Sequence, residues 1–163
     1  MKVAGIIKNS VVNGIGIRDV LFVQGCNHYC KGCHNPETWD MDGGTEYSLK
    51  ELVEVFKDSP NDITISGGEP LLQFEDVFLF MKYMKKNYGK RFWLYTGFVY
   101  EDLPIYKRFM LSTYVDVLVD GRFEIDKKNL GLAFRGSSNQ RLIDLPRTYK
   151  EDKIILWEGE KNE

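Results

Sequence analysis

The stretch DVLFVQGCNHYCKGCHNPETW, residues 19–39, joins a run of β-branched and aromatic residues to a loop holding every cysteine and both histidines of the chain. DVLFVQG (19–25) stops at Gly25 and reads as a buried strand, so Cys26, Cys30 and Cys33 belong to the loop beyond its C-terminal end. The pattern then repeats. DITIS (62–66) is a second strand running straight into GGEP, RFWLYTG (91–97) a third, and YVDVLVDG (114–121) a fourth. Helical patterns separate them. SLKELVEVF (48–56) spaces Ser48 and Glu51 as a capping box and sets Leu49, Leu52, Val53 and Phe56 on one face. Val77, Phe80, Met81, Met84 and Tyr88 form the apolar face of a helix ending near Gly89, with the methionines in the core. EDLPIYKRFMLS (101–112) reads as a short helix with Pro104 in its first turn.

Strands alternating with helices predict an α/β fold, a parallel sheet covered by helices. No repeat, low-complexity tract or linker interrupts the chain, so residues 1–163 are expected to form a single domain. A closed eightfold barrel takes about 250 residues. The expected architecture is therefore an incomplete (partial) TIM-type barrel of parallel strands with covering helices, open on one side. Reactive groups of such folds gather at the C-terminal strand ends, which here carry the cysteine loop, SGGEP, YTGF and VDGRF. KIILWEGEKNE (153–163) reads as a last strand with a frayed acidic end.

With 43% hydrophobic and 28% charged residues the composition is that of a soluble globular protein, and 163 residues bury a core without staples. No apolar run approaches the ~20 residues of a spanning helix, and MKVAGIIKNSVV is too short and too quickly polar for a signal peptide, so the cytoplasm is the expected location. A net charge of −2, with Lys and Arg scattered among Asp and Glu, offers no basic stripe to a nucleic acid. Arg18, Arg122, Arg135, Arg141 and Arg147 read as solvated surface, with an interface as the alternative.

Three cysteines spaced Cys-x3-Cys-x2-Cys in a cytosolic chain favour metal or redox chemistry over disulfides. A redox pair of Cys30 and Cys33 leaves Cys26 without a role. Zinc held by three thiolates and His28 or His34 is one alternative, although structural zinc sites usually draw on two separated knuckles. Three thiolates from one loop also suit three corners of an iron-sulfur cubane, whose fourth iron keeps an open position for a substrate.

The spacing of Cys26, Cys30 and Cys33 resembles that of radical S-adenosylmethionine (SAM) enzymes. NGIGIRDVLFVQGCNHYCKGCHNPETW, SGGEP, LYTGF, VLVDGRF and FRGSSNQR, in order from Asn13 to Arg141, resemble more narrowly the activating proteins of anaerobic ribonucleoside-triphosphate reductase. The resemblance implies a 4Fe-4S cluster on the three cysteines, with SAM chelated to the open iron by its amino and carboxylate groups. It places SAM contacts on Gly67 and Gly68, whose backbone is unobstructed by side chains, and on Gly32, Cys33 and His34 beside the adenosyl part. Thr96 and Gly97 are implied on the ribose side. Glu69 either accepts from the SAM ammonium or caps the following helix, and His28 is expected to be an exposed loop residue. Two positions depart from the common pattern: Gly32 stands where many radical SAM enzymes carry an aromatic, leaving His34 to stack on adenine, and Ile15 stands for the usual proline of NGIGIR.

The implied reaction transfers one electron from the cluster to SAM, giving methionine and a 5′-deoxyadenosyl radical that takes a hydrogen atom from a glycine Cα of the large catalytic subunit of the reductase. Beyond the cofactors no catalytic residue is implied. Further implied partners are an external low-potential electron donor of flavodoxin type and, for assembly, a homodimer or a heterotetramer with the reductase. Arg122, Arg135 and Arg141 are candidate docking residues. The alternatives are an activase of another glycyl-radical enzyme, such as pyruvate formate-lyase, and a zinc-bound interaction module. Three cysteines leave none for a second, four-cysteine cluster, and a small-molecule radical SAM enzyme needs an enclosed pocket that so short a chain struggles to build.

Overall fold

Near-continuous runs of buried apolar residues suit strands covered on both faces, and four such runs occupy the middle of one sheet. The computed structural model describes residues 1–159. In chain order the elements are β1 (Lys2–Ser10), β2 (Arg18–Val23), β3 (Thr45–Glu46), α1 (Leu49–Phe56), β4 (Asp62–Gly67), α2 (Phe74–Tyr88), β5 (Phe92–Tyr95), α3 (Ile105–Tyr114), β6 (Val115–Asp120), β7 (Arg141–Asp144) and α4 (Leu145–Glu151). The seven strands lie in the order β3-β1-β2-β4-β5-β6-β7. The expected four, β2, β4, β5 and β6, run parallel. β1 pairs antiparallel with β2 and β3, and β7 antiparallel with β6, so the sheet is mixed.

Alternation along the parallel strands separates two environments. Leu21, Val23, Ile63, Ile65, Phe92, Leu94 and Leu118 pack on Leu52, Val53 and Phe56 of α1, Val77, Phe80, Met81 and Met84 of α2, Leu111 of α3 and Leu145 of α4. The intervening Trp93, Val117 and Val119 face the other way, against Ile15, Phe134, Leu142 and Trp157. All four helices thus serve one face of the sheet. No helix among the described residues is long and apolar enough to cross a membrane.

Local signals are met where local chemistry decides. Ser48 Oγ accepts from Glu51 N at 3.1 Å while Glu51 Oε1 accepts from Ser48 N at 3.3 Å, the expected capping box. Helix α2 ends at Gly89. Leu49 and Tyr88 differ from expectation: both are exposed, in the first turn of α1 and the last turn of α2. Pro104 is the N-cap of α3, and Tyr100–Asp102 form a separate 3-10 turn, because the residue before a proline is held extended. The expected last strand is reduced to a single bridge between Ile143 and Leu156, flanked by Asp144 N to Ile155 O at 2.9 Å and Trp157 N to Leu142 O at 2.8 Å. Part of its expected acidic end, residues 160–163, lies outside the described residues.

Arg18 is a correction, since it is buried rather than solvated. Its Nε donates to Thr64 Oγ1 at 2.8 Å and its Nη2 to Ile63 O at 2.9 Å, with the guanidinium over Trp93 at 5.7 Å. Neutral oxygens and an aromatic face replace the water it would otherwise bind.

Candidate functional site

A cavity of about 560 Å³ opens at the C-terminal ends of the parallel strands. Cys26, Cys30, Cys33 and His34 line it from the first loop, Gly67 and Gly68 from the end of β4, and Thr96 and Gly97 from the end of β5. Gly121, Arg122 and Phe123 follow from the end of β6.

The cysteine loop closes on itself. Gly25 N donates to Thr38 O at 2.7 Å, and the Gln24 amide donates to Glu37 O and Asp40 O at 3.1 and 2.8 Å. Within it, Cys33 N donates to Cys30 O at 3.1 Å and Asn35 N to Cys33 Sγ at 3.4 Å. Gly32 does not line the cavity. It adopts φ +77°, where L side chains are strained, and a Cβ there would come within 2.7 Å of Ile125 Cδ1 and 3.4 Å of Phe123 Cε1. Phe123 thus lies where a side chain at position 32 would point, and it also meets exposed His34 at 5.1 Å between ring centroids.

Gly67 and Gly68 are pressed against the end of β2. Gly68 N donates to Val23 O at 3.2 Å and Glu69 N to Gly25 O at 2.8 Å. A Cβ on either glycine would overlap backbone atoms of Val23 or Gly25, and Gly67 holds φ +127°. The space a side chain would need at either glycine is thus taken by the β2 end, and both glycines line the cavity beside the cysteines.

Glu69 is wholly buried and does not line the cavity. Its Oε2 accepts from Leu71 N at 2.9 Å, the capping role, while its Oε1 accepts from Thr96 Oγ1 and Gly97 N, both at 2.8 Å, and contacts His28 Nε2 at 2.7 Å. All four of these partners belong to the fold, and the capping alternative is the one its contacts meet. His28, expected to be exposed, is buried by this contact and by Phe98, edge-on at 4.7 Å. Sequence reasoning missed it because the residues that bury it come from distant segments of the chain.

The three candidate docking arginines part company. Arg141 is committed within its own fold. Its Nε and Nη2 bind Asp120 at 3.0 and 2.6 Å, and its Nη1 and Nη2 bind Glu101 at 3.2 and 2.6 Å, holding the Glu101 carboxyl below its ordinary range. Arg135 lines the cavity, donates from Nη1 to Gln140 O at 2.6 Å and buries an Nε with no acceptor. Arg122 is exposed at the cavity.

The donor set fits an iron-sulfur cluster. Three soft sulfurs from one loop face one cavity. Burial, with a smaller contribution from neighbouring anionic groups, pushes the Cys26 and Cys30 thiols up. A bound metal's charge offsets that effect. Among the described residues no group of three or more His, Cys, Asp and Glu side chains is arranged to hold a single metal ion.

A family model described as a 4Fe-4S single cluster domain matches residues 12–143. The chain is 37% identical over 139 residues to the anaerobic ribonucleoside-triphosphate reductase-activating protein of Haemophilus influenzae, a match covering 80% of this chain and 89% of the relative. The protein of the same name from Enterobacteria phage T4 is 39% identical over 140 residues, covering 80% and 86%. That from Escherichia coli K12 is 35% identical over 140 residues, covering 80% and 90%.

Proposed function

The chain belongs to the family of anaerobic ribonucleoside-triphosphate reductase-activating proteins, and from this premise we propose that it is a radical SAM enzyme that installs a glycyl radical on the large catalytic subunit of that reductase. The observation that carries the proposal is the meeting of Cys26, Cys30 and Cys33 with Gly67 and Gly68 in the lining of one cavity. Its volume lies within the range of small-molecule sites.

Cys26, Cys30 and Cys33 would hold the 4Fe-4S cluster, and the cavity beside them would take SAM. Gly67 and Gly68 would receive the methionine end of SAM where they line the cavity, and Thr96 and Gly97 line it nearer the ribose. His34, braced by Phe123, offers a flat face to adenine. When bound, the cluster supplies the electron that splits SAM into methionine and a 5′-deoxyadenosyl radical. A low-potential donor of flavodoxin type and a cytoplasmic setting complete the reading. The sheet, with helices on one face and the cavity at its strand ends, is read as an incomplete barrel. Its mouth carries Val11, Val12 and Leu130, apolar and 64, 70 and 89% exposed, which suits a polypeptide substrate more than a free metabolite.

The test is anaerobic purification followed by metal assay, visible spectroscopy and electron paramagnetic resonance with SAM, a strong reductant and the reductase large subunit. The expected result is a brown protein with about four irons and four sulfides per chain and a glycyl radical on the reductase. A colourless protein with stoichiometric zinc after reconstitution would establish the interaction module instead. A radical on pyruvate formate-lyase and none on the reductase would reassign the target.

A further inference from the structure

The geometry points to His28 as a positioning residue that locks the cysteine loop to the ends of β4 and β5. The inference rests on the proposed SAM chemistry for its functional consequence and on side-chain contacts for its structural one. His28 lies between Cys26 and Cys30, with side chains of His28 and Glu69 only 4 and 0% exposed across their 2.7 Å contact. Glu69 receives Leu71 N on Oε2, and Thr96 Oγ1 and Gly97 N on Oε1. A carboxylate surrounded by donors acts as acceptor throughout, which assigns the shared proton to His28 Nε2. The ring also lies flush on Gly97, where a Cβ would come within 2.5 Å of Cδ2 and 2.6 Å of Nε2. His28 Nδ1 is buried with no partner, so the ring is held by its Nε2 edge and by packing.

Gly25, at the start of the loop, is bound to Thr38 O and, through Glu69 N, to the turn after β4, while the Gln24 amide holds residues 37 and 40. The contact of His28 with Glu69 anchors the middle of the loop, between Cys26 and Cys30. It joins the loop that carries the thiolates to the turn of Gly67 and Gly68 and to the Thr96–Gly97 strand end, the surfaces assigned to SAM. The lock sets the distance between cluster and substrate from the cavity wall, where His28 is itself a lining residue and Glu69 lies behind it. Its loss is therefore expected to weaken SAM binding more than cluster assembly or turnover.

Three variants separate the hydrogen bond from the bulk. His28→Gln keeps a donor near the Nε2 position, His28→Phe keeps a flat ring without a donor, and His28→Ala keeps neither. In the metal-free chain, amide hydrogen exchange of residues 26–35 should be about tenfold faster in the Phe and Ala variants and within about threefold of wild type in the Gln variant, the scale of one buried hydrogen bond to a charged acceptor. After anaerobic reconstitution the Phe and Ala variants should keep their iron and their kcat for SAM cleavage but raise KM for SAM about tenfold, again with rescue by Gln. Wild-type behaviour of His28→Phe would reduce His28 to packing, and equal loss in all three variants would remove the hydrogen bond from the account. Loss of iron by His28→Ala as complete as in a cysteine variant would make His28 a ligand. A wild-type protein that never cleaves SAM would end the proposed function, while the exchange measurement would still decide the lock.

Discussion

Gly68 meets the carbonyl of Gly25 with no room for one further carbon between them. The contact joins the turn after β4 to the residue just before Cys26, and Glu69 N to Gly25 O at 2.8 Å reinforces it. Gly68→Ala should cost about 2–4 kcal/mol of stability, read from the urea midpoint under anaerobic conditions, and should lower iron content. Gly5→Ala, in β1 with open space around its Cα, should leave both nearly unchanged.

Arg141 stands between Asp120, which is buried, and Glu101, which is exposed. Arg141→Gln removes the ionic partner of the Asp120 carboxylate and should cost about 2 kcal/mol, less than a fully buried pair would lose because Arg141 is partly solvated and Asp120 keeps the Tyr100 amide at 2.9 Å. Exposed Arg147→Gln should stay within about 0.5 kcal/mol of wild type. Thermal or urea unfolding checks both.

Leu130 is the most exposed large apolar residue of the cavity mouth. Leu130→Asp should leave stability within about 0.5 kcal/mol and SAM cleavage without the reductase nearly unchanged. It should lower the glycyl-radical yield on the reductase about tenfold, the scale of one lost apolar anchor. Unchanged radical yield would remove this rim from the docking surface.

Burial raises the Asp19 carboxyl, but hydrogen bonds from Ser59, Asn61 and the Asn9 amide, together with Lys8, outweigh it and hold the pKa below the ordinary value of 3.8. A lowered folded-state pKa contributes stability that is present above 3.8 and is lost as pH falls through the folded value. Asp19→Asn should therefore weaken the fold at neutral pH and flatten its acid unfolding curve. Circular dichroism across pH 2–6 reads both effects; an unchanged acid limb would show that Asp19 does not drive it.

The capping box at Ser48, the stop at Gly89 and the apolar face through Met84 were legible because each depends on residues within one or two helical turns. The gathering of cysteines, glycines and Phe123 was legible from strand direction, since parallel strands place their C-terminal ends together. The antiparallel edges were not. β3 exists through pairs such as Lys2 with Glu46 and through the Met1 ammonium, bound to Glu46 at 2.9 Å and Tyr47 O at 2.8 Å, contacts between segments far apart in sequence. His28 and Arg18 were misread for the same reason. Glu69 and Gly97 bury the first, and Thr64 and Trp93 the second, and neither partnership leaves a trace in local periodicity.

Phe123, which braces His34, and Ile125, which closes with it over Gly32, are synthesised long after the cysteines. A nascent chain exposes Cys26, Cys30 and Cys33 as soon as β2 and its loop emerge, while Phe123 and Ile125 are still to be translated. The order of events is thereby built into the chain. An oxidant meeting the protein during synthesis encounters naked thiols, whereas in the finished fold Cys26 is buried and Cys30 and Cys33 are half-buried.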